Sequence, residues 1–335
     1  MIQEAIKKIV EREDLSRDDS VTVMTEIMEG KATDAQIASL ITALRLKGES
    51  VDEISGFAHA MREKAVAIKP KAKVVVDTCG TGGDRSGTFN ISTTAAFVVA
   101  GAGVTVAKHG NRSVSSHCGS ADILEGLGVR IDIPAEKVRA SIDTVGIGFL
   151  FAPMMHQAMK YAIGPRKEIG IRTVFNILGP LTNPAQATAQ VLGVYAPELT
   201  EVMAKVLRSL GVKHALVVHG QGLDEITITG DSQVSELKGG LVENYTIELD
   251  CLGMSPAGLD DIRCGSLSEN IAAMEGVLAG IAGPKRDIVL LNAAAALVAA
   301  DAVDSIKSGI EMAASSIDNG AAAAKLEELV DFTNS

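Results

Sequence analysis

The chain has 335 residues, 47% of them hydrophobic, enough to bury a sizeable core in one large domain or two unequal ones. Its formal net charge of −11 argues against nucleic acid or an anionic membrane as the default partner. With no Trp, seven Phe and three Tyr, an aromatic surface for stacking bases is not expected either.

Residues 1–68 read as helices only. The opening MIQEAIKKIVERED is charged and amphipathic, unlike the apolar run of a secretory leader. The stretches 4–11, 20–30, 33–48 and 50–68 each carry apolar residues at helical spacing, with Thr33 and Ser50 placed as N-caps and Gly30 and Gly48 as stops. Lys69-Pro70-Lys71 breaks the pattern, and from 73 the period changes. KVVVDT reads as a buried strand, followed by a glycine-rich loop and a helix over 92–103. VTVAK, RIDI and IGFLFA are further strands, with helices over 119–128 and 134–146 between them. Strands alternating with helices predict an α/β fold with a mostly parallel central sheet, its ligand loops at the C-terminal strand ends.

Residues 153–184 interrupt this with a Met-rich and then Pro- and Gly-punctuated helical segment. AQVLGVY and KHALVVHG resume the sheet, ITITG, SQVSEL and YTIEL suggest a small antiparallel excursion, and three alanine-rich helices finish the chain. The longest apolar stretch, 288–300, is too short to span a bilayer. Cysteines at 79, 118, 251 and 264 have no C-x-x-C spacing and read as reduced thiols. A soluble cytoplasmic protein is expected.

Three stretches carry chemistry. In DTCGTGGDRSGTFNIST, residues 77–93, Gly80, Gly82 and Gly83 follow a strand and Ser92, Thr93 and Thr94 open a helix. That context offers backbone amides and a helix dipole to an anion, or else is only a glycine-rich turn before a capped helix. It matches neither the dinucleotide pattern, because Arg85 stands where a glycine is needed, nor the P-loop, because Gly87 is followed by Thr88 and Phe89. In KHGNRSVSSHCGS, residues 108–120, Lys108, His109 and Arg112 sit among Asn111, Ser113, Ser115, Ser116 and Ser120. This loop supplies the local positive charge that an acidic protein needs to hold a polyphosphate, or is a solvated polar loop. In GLDEIT, Asp224 and Glu225 lie side by side at a strand end, either as a surface turn or as ligands for Mg²⁺ beside substrate phosphates. Arg166 in GPRKE could present a planar fork to a carboxylate, or could be an ordinary helix-surface arginine. No metal spacing of histidines and no Ser/His/Asp triad can be argued.

Together GTGGD…TFNIST, KHGNRSVSS, GSADILEGLG, GPRKEIGIRTVFNILGPLTNP, the pair in LDE and the N-terminal ALRLKGESVDEISGFAHAMRE resemble the anthranilate phosphoribosyltransferases over nearly the whole chain. The resemblance implies a nucleoside-phosphorylase-like fold. Its parts would be a small helical domain, residues 1–70 joined by roughly 165–187, and a larger α/β domain, 71–335. It implies transfer of the phosphoribosyl group of 5-phosphoribosyl-1-pyrophosphate to anthranilate in tryptophan biosynthesis, two Mg²⁺ per active site, and a homodimer formed through the helical domain.

By motif position, Gly80, Gly83, Asp84, Thr88, Asn90, Ile91, Ser92 and Thr93 would hold the phosphoribosyl pyrophosphate. Lys108, His109, Gly110, Asn111, Arg112, Ser113, Val114, Ser115, Ser116 and Ser120 would complete that site. Ser92 would ligate one Mg²⁺, and Asp224 with Glu225 the other. Gly80, Asn111 and Arg166 would contact anthranilate, Arg166 facing its carboxylate. Gly80, Lys108 and Asn111 would support the transition state, with no acid–base pair of side chains. Arg85 and Gln157 depart from the family pattern. A pyrimidine nucleoside phosphorylase and a non-enzymatic nucleic-acid-binding relative of the fold are the alternatives. The first would use free phosphate without the Asp224–Glu225 pair and carry a further C-terminal domain. The second would need a basic groove.

Overall fold

The computed structural model describes residues 1–112 and 118–335. Four helices come first: α1 (Ile2–Val10), α2 (Arg17–Met28), α3 (Asp34–Lys47) and α4 (Val51–Lys64). Thr33 and Ser50 are N-caps as expected, each in a reciprocal capping box: the hydroxyl of Ser50 accepts from the Glu53 amide at 3.3 Å and the Glu53 carboxylate accepts from the Ser50 amide at 2.8 Å. The buried faces of these helices form one apolar core with Ala162, Val174, Phe175, Ile177, Leu178 and Leu181 from the interrupting segment.

The alternating part runs β1 (Val76–Gly80), α5 (Ile91–Gly101), β2 (Val106–Gly110), α6 (Ser120–Gly126), α7 (Ala135–Thr144) and β3 (Ile147–Phe151). The interruption holds α8 (Ala152–Met155), α9 (Lys160–Ile169) and α10 (Phe175–Leu178). β4 (Ala189–Gly193), α11 (Leu199–Ser209), β5 (His214–Gly220), β6 (Ser232–Lys238) and β7 (Leu241–Ile247) complete the sheet. Four helices close the described chain, α12 (Leu267–Leu278), α13 (Pro284–Ala299), α14 (Ile306–Asp318) and α15 (Ala321–Asn334), where the sequence suggested three. Only Asn319 and Gly320, the latter at φ +77°, separate the last two.

The seven strands lie in the order β3-β2-β1-β4-β5-β6-β7, the first five parallel and the last two antiparallel. The antiparallel excursion is thus the end of the same sheet. Two sequence-predicted strands are not strands. Along 129–133, Val129, Ile131 and Ile133 are buried and Arg130 and Asp132 exposed, the period-two pattern of extended chain. The Arg130 amide, however, donates to the Thr333 hydroxyl of α15 at 3.1 Å rather than to a neighbouring strand. In 226–230, Ile226 satisfies its backbone on the Asn292 side chain, which accepts from its amide at 3.0 Å and donates to its carbonyl at 2.8 Å.

One face of the sheet packs on α5 and the closing helices, the other on α11 and the N-terminal helices. Chain order reverses beside β1: β2 and β3 lie to one side of it, β4 and β5 to the other. In an open α/β sheet, the crevice beyond the strand ends at such a reversal is where ligands bind.

Candidate active site

The last residues of β1 and β4, Gly80 and Gly193, are register partners at that crevice. Both are glycine for want of space. A Cβ on Gly80 would fall on the Asp224 carboxylate, and one on Gly193 on the Asp224 main chain. Beyond Gly80 the chain turns through Gly82, Gly83 and Gly87, all at positive φ, and Arg85 shares that left-handed backbone at φ +59°. This is the physical reason a glycine is expected where Arg85 stands.

The loop is fastened on several sides. The Gly82 amide donates to Asp224 Oδ2 at 2.7 Å, and Arg172, stacked 4.4 Å over the Tyr195 ring, donates to the Gly83 carbonyl. Thr88 bridges to Arg263, whose Nε donates to the Ser86 carbonyl at 2.9 Å. Asp84 accepts from the Ser86 amide at 3.2 Å. The loop runs into α5, where Asn90 makes no side-chain cap and is instead held by Asn270, which accepts from the Asn90 amide and Nδ2, each at 3.2 Å. Asn90 thus leaves the first turn of α5 without an N-cap side chain, while the Ile91 amide donates to the Phe89 carbonyl at 2.8 Å and the Ser92 amide faces the Glu225 carboxylate. Ile91 and Thr93 are buried and can contribute only backbone.

From β2, the buried Lys108 reaches across to the Thr78 carbonyl at 2.5 Å and the Ser92 hydroxyl at 3.4 Å. His109 points to the other face of the sheet, as strand alternation requires, with its ring 5.1 Å from that of His156. Its side chain is thus placed apart from the glycine loop. Gly110 lies against Ser120 and Phe149. Asn111 is exposed, its carbonyl accepting from the Ala121 amide at 3.2 Å and the Ser120 hydroxyl at 3.3 Å. Arg112 is engaged with α6: it donates to Asp122 at 2.9 Å and to Glu125 at 2.8 and 3.1 Å, and lies 5.7 Å over the Phe151 ring. Ser113, Val114, Ser115 and Ser116 lie outside the described residues.

Asp224 and Glu225 follow β5 and are half-buried at the glycine loop. Burial, and then the neighbouring Asp84 carboxylate, push the Asp224 carboxyl up to about 7. Burial and Asp224 push Glu225 well above the carboxylate range, with Lys108 and the Ser92 amide opposing. Among the described residues no three His, Cys, Asp or Glu side chains gather closely enough to enclose a metal ion alone. Asp224 and Glu225 do fit Mg²⁺ held partly by substrate: a crowded acidic pair at the glycine loop gains from a divalent cation that phosphate oxygens would help to ligate.

Arg166, on α9, is half-buried, stacks 5.1 Å over Phe175 and has its pKa lowered by burial. No carboxylate pairs with it among the described residues. Sequence reasoning missed Arg172, Tyr195, Gly193, Arg263 and Asn270. All are far in sequence from the loop they hold, and only the glycine and arginine signals in GIRTVFN and LGVY could have drawn attention to the first three.

Residues 3–65 match the glycosyl transferase family, helical bundle domain, and residues 72–323 the glycosyl transferase family, a/b domain. The anthranilate phosphoribosyltransferase of Syntrophobacter fumaroxidans is 58% identical over all of this chain and 99% of its own. The solved anthranilate phosphoribosyltransferase of Thermus thermophilus matches with a TM-score of 0.95 at 42% identity, covering 99% of both chains. That of Saccharomyces cerevisiae, solved in complex with PRPP and Mg, matches with a TM-score of 0.90 at 28% identity over 99% of this chain and 98% of its own. The same yeast enzyme has also been solved with 4-fluoroanthranilate, matching with a TM-score of 0.89 over 99% and 97% of the two chains. The chain belongs to the anthranilate phosphoribosyltransferase family.

Proposed function

We propose that the chain transfers the phosphoribosyl group of 5-phosphoribosyl-1-pyrophosphate to the amino group of anthranilate, releasing pyrophosphate. The observation that carries this reading is the meeting of four features at the β1–β4 crevice: the glycine loop, the N-terminus of α5, Lys108 and the Asp224–Glu225 pair. The yeast relative's complexes with PRPP and Mg and with 4-fluoroanthranilate support it.

In this reading the loop amides and the N-terminal turn of α5 bind the pyrophosphate, and Lys108, held between Thr78 and Ser92, sets its positive charge beside it. As the C1–O bond breaks, its electron pair leaves with pyrophosphate, and the fixed amides and the ammonium stabilise that charge without reorganising. The anthranilate nitrogen, unprotonated at neutral pH, donates its lone pair to C1 and then loses its extra proton to solvent, so no side-chain base is required. Arg166 holds the carboxylate of the acceptor, which aligns the amine with C1. Asp224, Glu225 and Ser92 would hold Mg²⁺, two ions per site, and the metal supplies charge neutralisation at the leaving group. Residues 1–70 with roughly 165–187 act as the helical domain beside the α/β domain 71–335. A homodimer through that domain is supported by the exposed Val10 and Leu46. A cytoplasmic location fits a chain with no helix, among the described residues, long and apolar enough to cross a membrane.

Anthranilate fluorescence, followed with the phosphoribosyl donor and with or without Mg²⁺, tests the reading. A metal-dependent fall is expected, with Asp224→Asn and Glu225→Gln raising the Mg²⁺ needed for half-maximal rate. No fall from folded protein at any Mg²⁺ concentration overturns it.

A further inference from the structure

Asp77 is a fully buried carboxylate that the proposed mechanism leaves without a task. It lies on β1, three residues before Gly80, on the face opposite Thr78 and Lys108. The pairing around it is unusual for this sheet. β1–β4 and β2–β3 are each registered over five residue pairs, but β1–β2 over the single pair Val76–Val106. Beyond that pair, side chains bridge the two strands. Asp77 Oδ1 accepts from the His109 amide at 3.1 Å, Asn183 Nδ2 donates to the Ala107 carbonyl at 2.8 Å, and Lys108 Nζ donates to the Thr78 carbonyl at 2.5 Å. The two strands that separate in this way carry the two donor-rich loops. The width of the gap therefore sets how far Lys108 stands from the glycine loop.

We propose that Asp77 is a positioning residue for phosphoribosyl pyrophosphate binding: by accepting the His109 amide where a β1 carbonyl would otherwise serve, its side chain fixes β2 at the spacing that lets Lys108 span from Thr78 to Ser92. A carboxylate is rarely buried without strong partners. Here the cations of Lys108, on the opposite face, and of Arg62, on α4, favour its charged form and offset part of that cost. Arg62 itself is tied to the Leu181 and Leu210 carbonyls at 2.6 and 3.2 Å, so the field at Asp77 is held by rigid neighbours. The inference rests on the phosphoribosyl-transfer reading for its kinetic consequence, but its structural part is separable.

Asp77→Asn keeps an oxygen for the His109 amide; Asp77→Val, or Asp77→Ser should the valine variant not fold, removes the acceptor from reach. The expected result is a rise of about 10-fold or more in the KM for phosphoribosyl pyrophosphate in the valine or serine variant, the loss of roughly one charge-assisted hydrogen bond. The anthranilate KM should be little changed, and the asparagine variant should restore most of the loss. In a Lys108→Ala background the same Asp77 change should add less than about 2-fold, because residues acting through one another are not additive. Amide hydrogen exchange at His109 should speed by about 10-fold or more in the valine or serine variant and little in asparagine, whether or not the protein turns over. Unchanged exchange, equal KM losses in Asp77→Asn and Asp77→Val, or a full Asp77→Val effect persisting without Lys108 would overturn the assignment. An inactive wild type with the expected exchange pattern would instead count against the transferase reading alone.

Discussion

At the scale of single residues, the site is organised by what its glycines leave room for. Gly193→Ala would drive a methyl into the Asp224 main chain, a displacement costing about 1–3 kcal/mol where packing cannot yield. The expected outcome is a lowered thermal midpoint together with a weakened Mg²⁺ requirement curve, checked by melting with and without the metal. Arg166 offers a different test. Half-buried and stacked on Phe175 with no paired carboxylate among the described residues, it has a guanidinium available to a ligand. Arg166→Ala should raise the anthranilate KM by roughly 10- to 100-fold, the range for a lost hydrogen bond to a charged group, and the phosphoribosyl donor KM much less. Equal rises in steady-state kinetics would remove the residue from the acceptor site. The sequence made the glycine loop and the Asp224–Glu225 pair legible because each stands where a strand ends, and strand ends can be read from a change of period; Lys108 was legible with its loop, although β2 runs two residues past it to Gly110. Arg172 and Asn270 were not legible. They act across 89 and 180 residues of chain on Gly83 and Asn90 respectively, and nothing in a local pattern encodes such a separation.

At the scale of elements, the glycine loop depends on partners that are not its neighbours in sequence. Arg172 holds the Gly83 carbonyl from the segment after α9 and is itself seated on Tyr195 after β4. Arg172→Ala should leave α5 in place yet release residues 82–88. The outcome to look for is faster hydrogen exchange confined to that loop, with a donor KM raised roughly 10-fold and an unchanged melting midpoint. The elements themselves were read well where caps and period agree, as in α3 and α4 with their capping boxes. They were misread where burial alone imitates a strand, as along 129–133, since alternation reports extended backbone but not a ladder partner. β7 starts four residues earlier than the Tyr245 the sequence suggested, because Gly239 and Gly240, at φ +57° and +82°, form a two-residue turn that pairs Lys238 with Leu241.

At the scale of the whole molecule, two buried histidines tie stability to pH. Burial lowers His156 from 6.5 to about 4, and burial together with the His156 ring lowers His109 further below its ordinary value. A histidine whose folded pKa is depressed contributes stability that is fully present above the unfolded pKa near 6.5. It is lost as pH falls towards the folded value, by up to about 3 kcal/mol for His156. Urea midpoints should therefore drop between pH 7 and pH 4, and His156→Asn should flatten that drop; an unchanged slope would show that other groups dominate. Both rings lie where the interrupting segment meets the sheet, so mild acid should loosen that junction before it unfolds α13, whose residues 288–299 are all buried.

The sheet ends at β7, whose outward edge has no strand beyond it among the described residues. An unpaired row of backbone amides and carbonyls is a template on which another chain can add a strand. β7 exposes Leu241 but follows it with Glu243 and Asn244, also exposed, and its Tyr245 hydroxyl is turned back to Glu236 at 2.8 Å. A second molecule adding edge to edge would set Glu243 beside another carboxylate-bearing strand, in a protein already carrying a net charge of −11. The acidity that obliges the active site to gather its own positive charge thus also works against edge-to-edge addition of a second copy at β7.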